Sequence, residues 1–242
     1  GDGPASTVAM TTPDPVTLHR TLAALADAGV AHCALEASSH GLDQFRLDGV
    51  RITAAAFLNL TRGHLDYHPD LESYLAAKMR LFGEIMAPGS HAVLNTESPH
   101  CQHIADVCRA RGHTILQFGG AGADIALVSR RDENFGQRIE LQILGKTYDL
   151  LIPLPGAFQI ENMMAAAGLA IATGMQEEDV AAGLPHLTEV RGRLEQVSRL
   201  DNGAPIYVDY AHTPDALEAA LTALRPHITG RLILLFGCGG DR

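Results

Sequence analysis

Three stretches concentrate side chains able to do chemistry. The run Glu36-Ala37-Ser38-Ser39-His40-Gly41 gathers a carboxylate, hydroxyls and an imidazole just after an apolar segment. Such a set suits a divalent cation and an anionic substrate, because hard cations take oxygen ligands. The competing reading is a polar turn whose serine caps a helix. The run from Asn59 to His68 contains His64 and His68 four positions apart, a spacing that on a helix could hold zinc. That segment leaves a strand and runs into Pro69, and no His-Glu-x-x-His glutamate accompanies it. A site for oxygen ligands or phosphate that uses one histidine fits better. Lys78, in Tyr74-Leu75-Ala76-Ala77-Lys78, lies on a long helical pattern and taken alone reads as a solvated lysine.

The elements that must position these residues follow from periodicity. Apolar residues recur at helical spacing over 16–28, 70–86, 99–110, 158–173, 177–182 and 214–224. Short apolar runs over 30–37, 52–60, 91–95, 114–118 and 232–236 read as buried strands. Strands alternating with helices imply a parallel sheet flanked by helices, with ligands beyond the carboxyl ends of the strands. Segments 125–130, 138–144 and 147–152 instead predict antiparallel hairpins around Gly145-Lys146, and Asp201-Asn202-Gly203 predicts another turn between 194–198 and 206–209. The fold class is therefore α/β, mostly parallel with a small antiparallel subregion. A domain boundary is expected near residues 190–193.

Composition excludes several classes. The 242 residues carry Lys+Arg 18 against Asp+Glu 28, a formal net charge of −10, which argues against a general polyanion binder. Aromatic residues are 5% and Trp is absent, so no nucleic-acid stacking surface is expected. No apolar run reaches membrane-spanning length. Cys33, Cys101, Cys108 and Cys238 form no C-x-x-C pair and are expected to be reduced thiols in the cytoplasm. No basic start or apolar run opens the chain, and Met is not its first residue. It is expected to be the middle of a longer protein.

Taken together, these motifs resemble the Mur ligases. The resemblance rests on Glu36 to Leu42, Asn59-Leu60-Thr61 with His64 to His68, Tyr74 to Lys78, Val208 to Leu217 and Phe236 to Arg242, in that order. Within the family it is closest to the branch that adds the third amino acid of the peptidoglycan stem. It implies a central ATPase domain over 1–190 and the start of a Rossmann-like C-terminal domain over 191–242. It also implies an ATP-dependent amide ligase acting through an acyl phosphate on a UDP-MurNAc-dipeptide, with a diamino acid, meso-diaminopimelate or L-lysine, as the incoming amine. Two magnesium ions would be the cofactor, one held by Glu36 near the β- and γ-phosphates and the second by His64 and a Lys78 carbamylated by CO2, these three residues forming the catalytic set. Thr11, Thr12, Ser38, Gln44 and Arg46 would hold the muramoyl substrate. Asn162, Arg193, Asp209 and His212 would serve ATP, with Asp209 meeting the ribose or the interdomain linker. The protein would be monomeric.

Departures from the family pattern are Gly63 where an aspartate is usual, Met10 for an asparagine and Gln159 for an asparagine. No Gly-x-x-x-x-Gly-Lys-Ser/Thr phosphate loop is present, and it is expected upstream of residue 1. The chain alone is therefore expected to be inactive. Rival readings are a folylpolyglutamate or cyanophycin synthetase, which shares part of the 209–214 run, and a ligase-derived binding module without catalysis.

Overall fold

Short polar side chains start the helices that matter most. The computed structural model describes residues 10–60, 67–133 and 135–237. Helix α1 (Pro15–Asp27) begins at Asp14, whose carboxylate accepts the Thr17 N–H at 3.0 Å. Helix α2 (Ser39–Asp43) is a short turn capped by Ser38, and strand β1 (Ala54–Phe57) follows. Helix α3 (Leu71–Arg80) is capped by Asp70, which accepts the Ser73 N–H at 2.7 Å. The helix expected over 70–86 is present, but its winding changes. After Arg80 it widens into a π-helical turn, Leu81–Ile85, closed by Met86 N–H on the Leu81 carbonyl at 3.0 Å.

Strand β2 (His91–Asn95), helix α4 (Cys101–Ala110) and strand β3 (Thr114–Gly119) continue the alternation. Strands β4 (Ile125–Glu133), β5 (Gly136–Ile143) and β6 (Lys146–Ile152) then form the expected meander. The six strands make one sheet in chain order; β3 and β4 are parallel, while β4–β5 and β5–β6 are antiparallel. Helices α5 (Ala157–Ala172) and α6 (Glu177–Gly183) follow, then a two-stranded antiparallel sheet of β7 (Glu195–Arg199) and β8 (Pro205–Val208), and helix α7 (Pro214–Leu224).

Contacts divide the chain into two compact units. One comprises Gly1–Ala55, Leu60–Ala92 and Gln102–Ile115. Its buried side chains include Leu42, Leu47, Tyr74, Phe82 and Met86. The other comprises Ala56–Asn59, Val93–Cys101 and Leu116–Arg242. Its main core packs Phe118, Ile125, Leu141 and Ile143 of the sheet against Ile160, Met163 and Met164 of α5. Cys33 is exposed, Cys101 and Cys108 are buried, and none of the three is in a disulfide; Cys238 lies outside the described residues.

Two expected strands are corrected. Residues 30–37 and 232–236 carry no ladder, and Val30, Leu35, Ile233, Leu235 and Phe236 are exposed. An apolar run predicts burial but does not supply a partner, and a lone strand has its backbone groups unpaired. Neither run meets a neighbouring strand among the described residues.

Helix α5 also shows why propensity alone misleads. At Gly168 a Cβ would lie 2.6 Å from Val93 Cγ1 and 3.3 Å from Leu116 Cδ2. Alanine in a helix normally gains about 1 kcal/mol over glycine. Here the overlap reverses the sign. Gly168→Ala is expected to lower stability in urea by about 1–3 kcal/mol, and Val93→Ala in the same chain should recover part of the loss.

Candidate active site

The first group of site residues lies within the unit that contains α1, α2 and α3. Thr12 is 1% exposed and acts as a hub. Its Oγ1 donates to the Glu36 carbonyl at 2.8 Å and accepts both the Ser38 N–H at 3.0 Å and the Ser38 hydroxyl at 2.9 Å. One donor and two acceptor positions exhaust a hydroxyl, so Thr12 Oγ1 is saturated. Ser38 Oγ accepts the Gly41 N–H at 3.1 Å, which caps α2. Gly41 is needed because a Cβ there would sit 2.7 Å from Thr12 Cβ. Thr11 is exposed beside this hub.

Gln44 and Arg46 come together in the turn after α2. Arg46 Nε donates to Gln44 Oε1 at 3.1 Å, Nη2 donates to the same oxygen, and Nη1 donates to the Thr12 carbonyl at 2.7 Å. Met10 Sδ lies 3.3 Å from Nη1. The turn itself is held by Arg80, a residue the sequence reading passed over. Its guanidinium donates to the Leu42 carbonyl, pairs with Asp48 at 3.3 Å and Glu84 at 2.9 Å, and lies 4.0 Å from the centre of the Phe45 ring. Phe45 has φ 57°, a conformation that needs such support in a non-glycine residue. The available signal was weak: an arginine two positions past Lys78 and four before Glu84 reads as a surface ion pair.

Lys78 projects from α3 beside aromatic rings. Its Nζ lies 5.2 Å from the centre of the Tyr74 ring, and that ring stacks on His68 at 5.2 Å and 18°. Burial pushes the Lys78 ammonium below its ordinary pKa, and the Glu36 carboxylate partly opposes the shift. The Glu36 carboxylate is on an exposed residue. His64, the third expected ligand, lies outside the described residues, as do Gly63 and the rest of 61–66. Among the described residues no group of three His, Cys, Asp or Glu side chains is arranged to hold a metal ion. Magnesium takes oxygen donors. Glu36 supplies one, and Lys78 could do so only as a carbamate, whose formation needs the neutral amine that burial favours. The donor set fits a hard cation on those terms. His68, buried against Tyr74, belongs to the ring cluster.

The second group lies in the other unit. Asn162 is exposed on α5, next to the half-buried Glu161. Burial raises the Glu161 carboxyl above its ordinary pKa of 4.5, and the negative charge of Glu97 adds to the shift. Asp209 accepts the Leu194 and Ala211 N–H groups, each at 2.7 Å. It thereby ties the turn before β7 to the end of β8. The neighbouring Arg193 guanidinium lies 5.8 Å from the Tyr210 ring centre. His212 Nδ1 donates to the Tyr210 carbonyl at 3.0 Å, which leaves Nε2 as the outward nitrogen. Arg193, Asp209 and His212 are thus brought together, with Asp209 committed to backbone amides.

The family model described as "Mur ligase middle domain" matches residues 2–170, and that described as "Mur ligase, glutamate ligase domain" matches 192–242. The chain belongs to the Mur ligase family. A UDP-N-acetylmuramoyl-L-alanyl-D-glutamate--2,6-diaminopimelate ligase of Bradyrhizobium diazoefficiens is 50% identical over 237 residues, 96% of this chain and 49% of the relative. The enzyme of the same name from Agrobacterium fabrum is 50% identical over 236 residues, 97% of this chain and 48% of the relative. A solved structure of a ligase of that name superposes with TM-score 0.79 at 33% identity, covering 100% of this chain and 50% of that one. MurF from Acinetobacter baumannii shares the fold, with TM-score 0.67 at 22% identity over 76% of this chain and 39% of its own. The chain spans about half the length of the curated relatives it matches. No described helix is long and apolar enough to cross a membrane.

Two outcomes are expected from this geometry. Arg80→Lys keeps the charge but loses the planar fork. It should cost about 1–2 kcal/mol and speed amide exchange across 42–48 while leaving β4 to β6 unchanged. Glu161→Gln should be more stable than the wild type at neutral pH. A carboxyl with a raised folded pKa favours the fold when protonated, and that contribution is lost as pH rises through the raised value. The advantage of the variant should therefore vanish as pH falls below 4.5, in denaturant titrations across that range.

Proposed function

We propose that the protein is an ATP-dependent amide ligase of peptidoglycan precursor synthesis, joining meso-diaminopimelate to UDP-MurNAc-L-Ala-D-Glu. The observation that carries this reading is the 50% identity, over nearly the whole chain, to ligases named for that reaction. The geometry of Glu36, Lys78, Gln44 and Arg46 within one compact unit supports it. The family-model boundaries support a central domain over 1–190 and a second domain from 191. On this reading the protein acts as a monomer in the cytoplasm.

The chemistry requires two anions, a carboxylate and the γ-phosphate of ATP, to approach each other. Charge neutralisation and alignment are therefore the main tasks. Arg46, pre-set by Gln44, holds an anionic group of the muramoyl substrate. Ser38, with a lone pair left on Oγ, and Thr11 line the same edge. Asn162 faces the adenine, Arg193 and His212 face the phosphates, and Asp209 holds the turn from which Arg193 projects. Glu36, His64 and carbamylated Lys78 would hold magnesium, which when bound screens the phosphate oxygens from the incoming carboxylate. The substrate carboxylate displaces ADP to form an acyl phosphate. The amine of diaminopimelate then displaces inorganic phosphate and leaves the amide.

The test uses the protein at its natural length with UDP-MurNAc-L-Ala-D-Glu, ATP, magnesium and meso-diaminopimelate. Stoichiometric tripeptide and phosphate are expected. Lys78→Ala should cost on the order of 100-fold or more in kcat, with partial rescue by short-chain carboxylic acids. Intact mass after incubation with 13C-bicarbonate should show one added carbamate, absent in the variant. Formation of a folylpolyglutamate or of cyanophycin instead would overturn the substrate assignment. Absence of both rescue and label would overturn the carbamate.

A further inference from the structure

The hydroxyl of Tyr67 accepts from Gln44 and donates to Asp43, beside the assigned residues Gln44 and Arg46. We propose that Tyr67 is a positioning residue for the anionic group of the substrate, its hydroxyl orienting Gln44 and, through Gln44, the guanidinium of Arg46. The proposal rests on the ligase reading and adds a determinant of substrate affinity to it.

The argument is one of hydrogen-bond direction. Arg46 can only donate, and an ionised Asp43 can only accept. Between them lie two groups that can do either. Arg46 Nε donates to Gln44 Oε1 at 3.1 Å, so the amide must present its oxygen to the arginine. Gln44 Nε2 then faces away and donates to Tyr67 Oη at 3.1 Å. The tyrosine proton is in turn committed to Asp43 Oδ2 at 2.6 Å. The run Arg46 to Gln44 to Tyr67 to Asp43 therefore has one polarity, fixed by a cation at one end and an anion at the other. Turning the Gln44 amide over would set its NH2 against the guanidinium and its oxygen against a hydroxyl whose proton is already used. The phenol thus anchors the far end of the Gln44 amide, so that its oxygen is held toward Arg46 from both sides. With Nε and one Nη2 proton on Gln44, and Nη1 on the Thr12 carbonyl and Met10 Sδ, the guanidinium keeps an Nη2 proton aimed in fixed geometry for a carboxylate or phosphate.

The ring is held independently of the hydroxyl. It packs on His40 with centroids 4.0 Å apart and meets His68 edge-on at 4.8 Å. Removing only the oxygen should leave these contacts in place, so the positioning role separates from packing.

Tyr67→Phe in the protein at its natural length is the test. KM for UDP-MurNAc-L-Ala-D-Glu should rise about 5- to 10-fold, with kcat and KM for ATP within about twofold. In a Gln44→Ala background the same change should have no further effect, because the link is already cut. In 15N spectra of the same protein, the Arg46 Nε–H and Gln44 side-chain amide signals should move while the signals of β4 to β6 stay. Should Tyr67→Phe fail to fold, Asp43→Ala must give the same KM-against-kcat split. An unchanged KM, penalties that add fully in the double variant, or an Arg46 signal that does not move would overturn the proposal. A wild type that ligates nothing would overturn the ligase reading, and the spectra would then decide the geometry separately.

Discussion

The guanidinium of Arg80 fastens the lysine-bearing helix to the turn that carries Gln44 and Arg46. Its donors reach the Leu42 carbonyl, Asp48 and Glu84, and its plane covers Phe45. Lys78 stands two positions earlier on the same helix. Orientation of the turn and of the lysine are thus coupled through one rigid element. The planar fork is essential to this. An ammonium has three donors and no plane, so it could not serve a carbonyl, two carboxylates and a ring face at once. The π-helical turn that begins at Leu81 carries Glu84, one of these partners.

A second constraint is saturation. Thr12 Oγ1 spends its one proton and both lone pairs inside the protein, so the buried hydroxyl serves the scaffold in this arrangement. Asp209 likewise gives its carboxylate oxygens to two backbone amides. Groups that resemble ligand contacts by sequence can thus be occupied in building the site. Among the residues of the proposed site, the groups that could meet anions are local: Arg46 on one unit, Arg193 and His212 on the other. An overall charge of −10 is compatible with anionic substrates on those terms, since attraction at contact distance outweighs a screened background field.

Much of this was legible in the sequence, for identifiable reasons. The alternation of short apolar runs with helical patterns gave the elements over 54–57, 91–95, 101–110 and 114–119, and Gly145-Lys146 marked the hairpin between β5 and β6. Motif order gave the family. Two kinds of information were missing. Residues 30–37 and 232–236 have strand composition but no ladder, because pairing is a property of neighbours and not of the run itself. Arg80 and Tyr67 act through contacts made by the fold: Tyr67 reaches Asp43 and Gln44 across more than twenty residues of chain. No local spacing encodes such a contact.

The environment of Lys78 is internally opposed, and the opposition bears on how a carbamate would persist. Burial disfavours the ammonium, while Glu36 and the face of Tyr74 favour it. The net shift is toward the neutral amine that CO2 requires. Once carbamylated, the same neighbours change sign. Glu36 would repel the new anion, and the negative face of Tyr74 would no longer attract the side chain. A divalent cation held nearby would offset that repulsion, and the carbamate would supply the oxygen that a lysine otherwise lacks. Modification and metal binding in the proposed site are thus linked equilibria, each raising the occupancy of the other. On the proposed reading a lysine would serve at this position because burial favours the neutral amine and a bound cation would favour the carbamate.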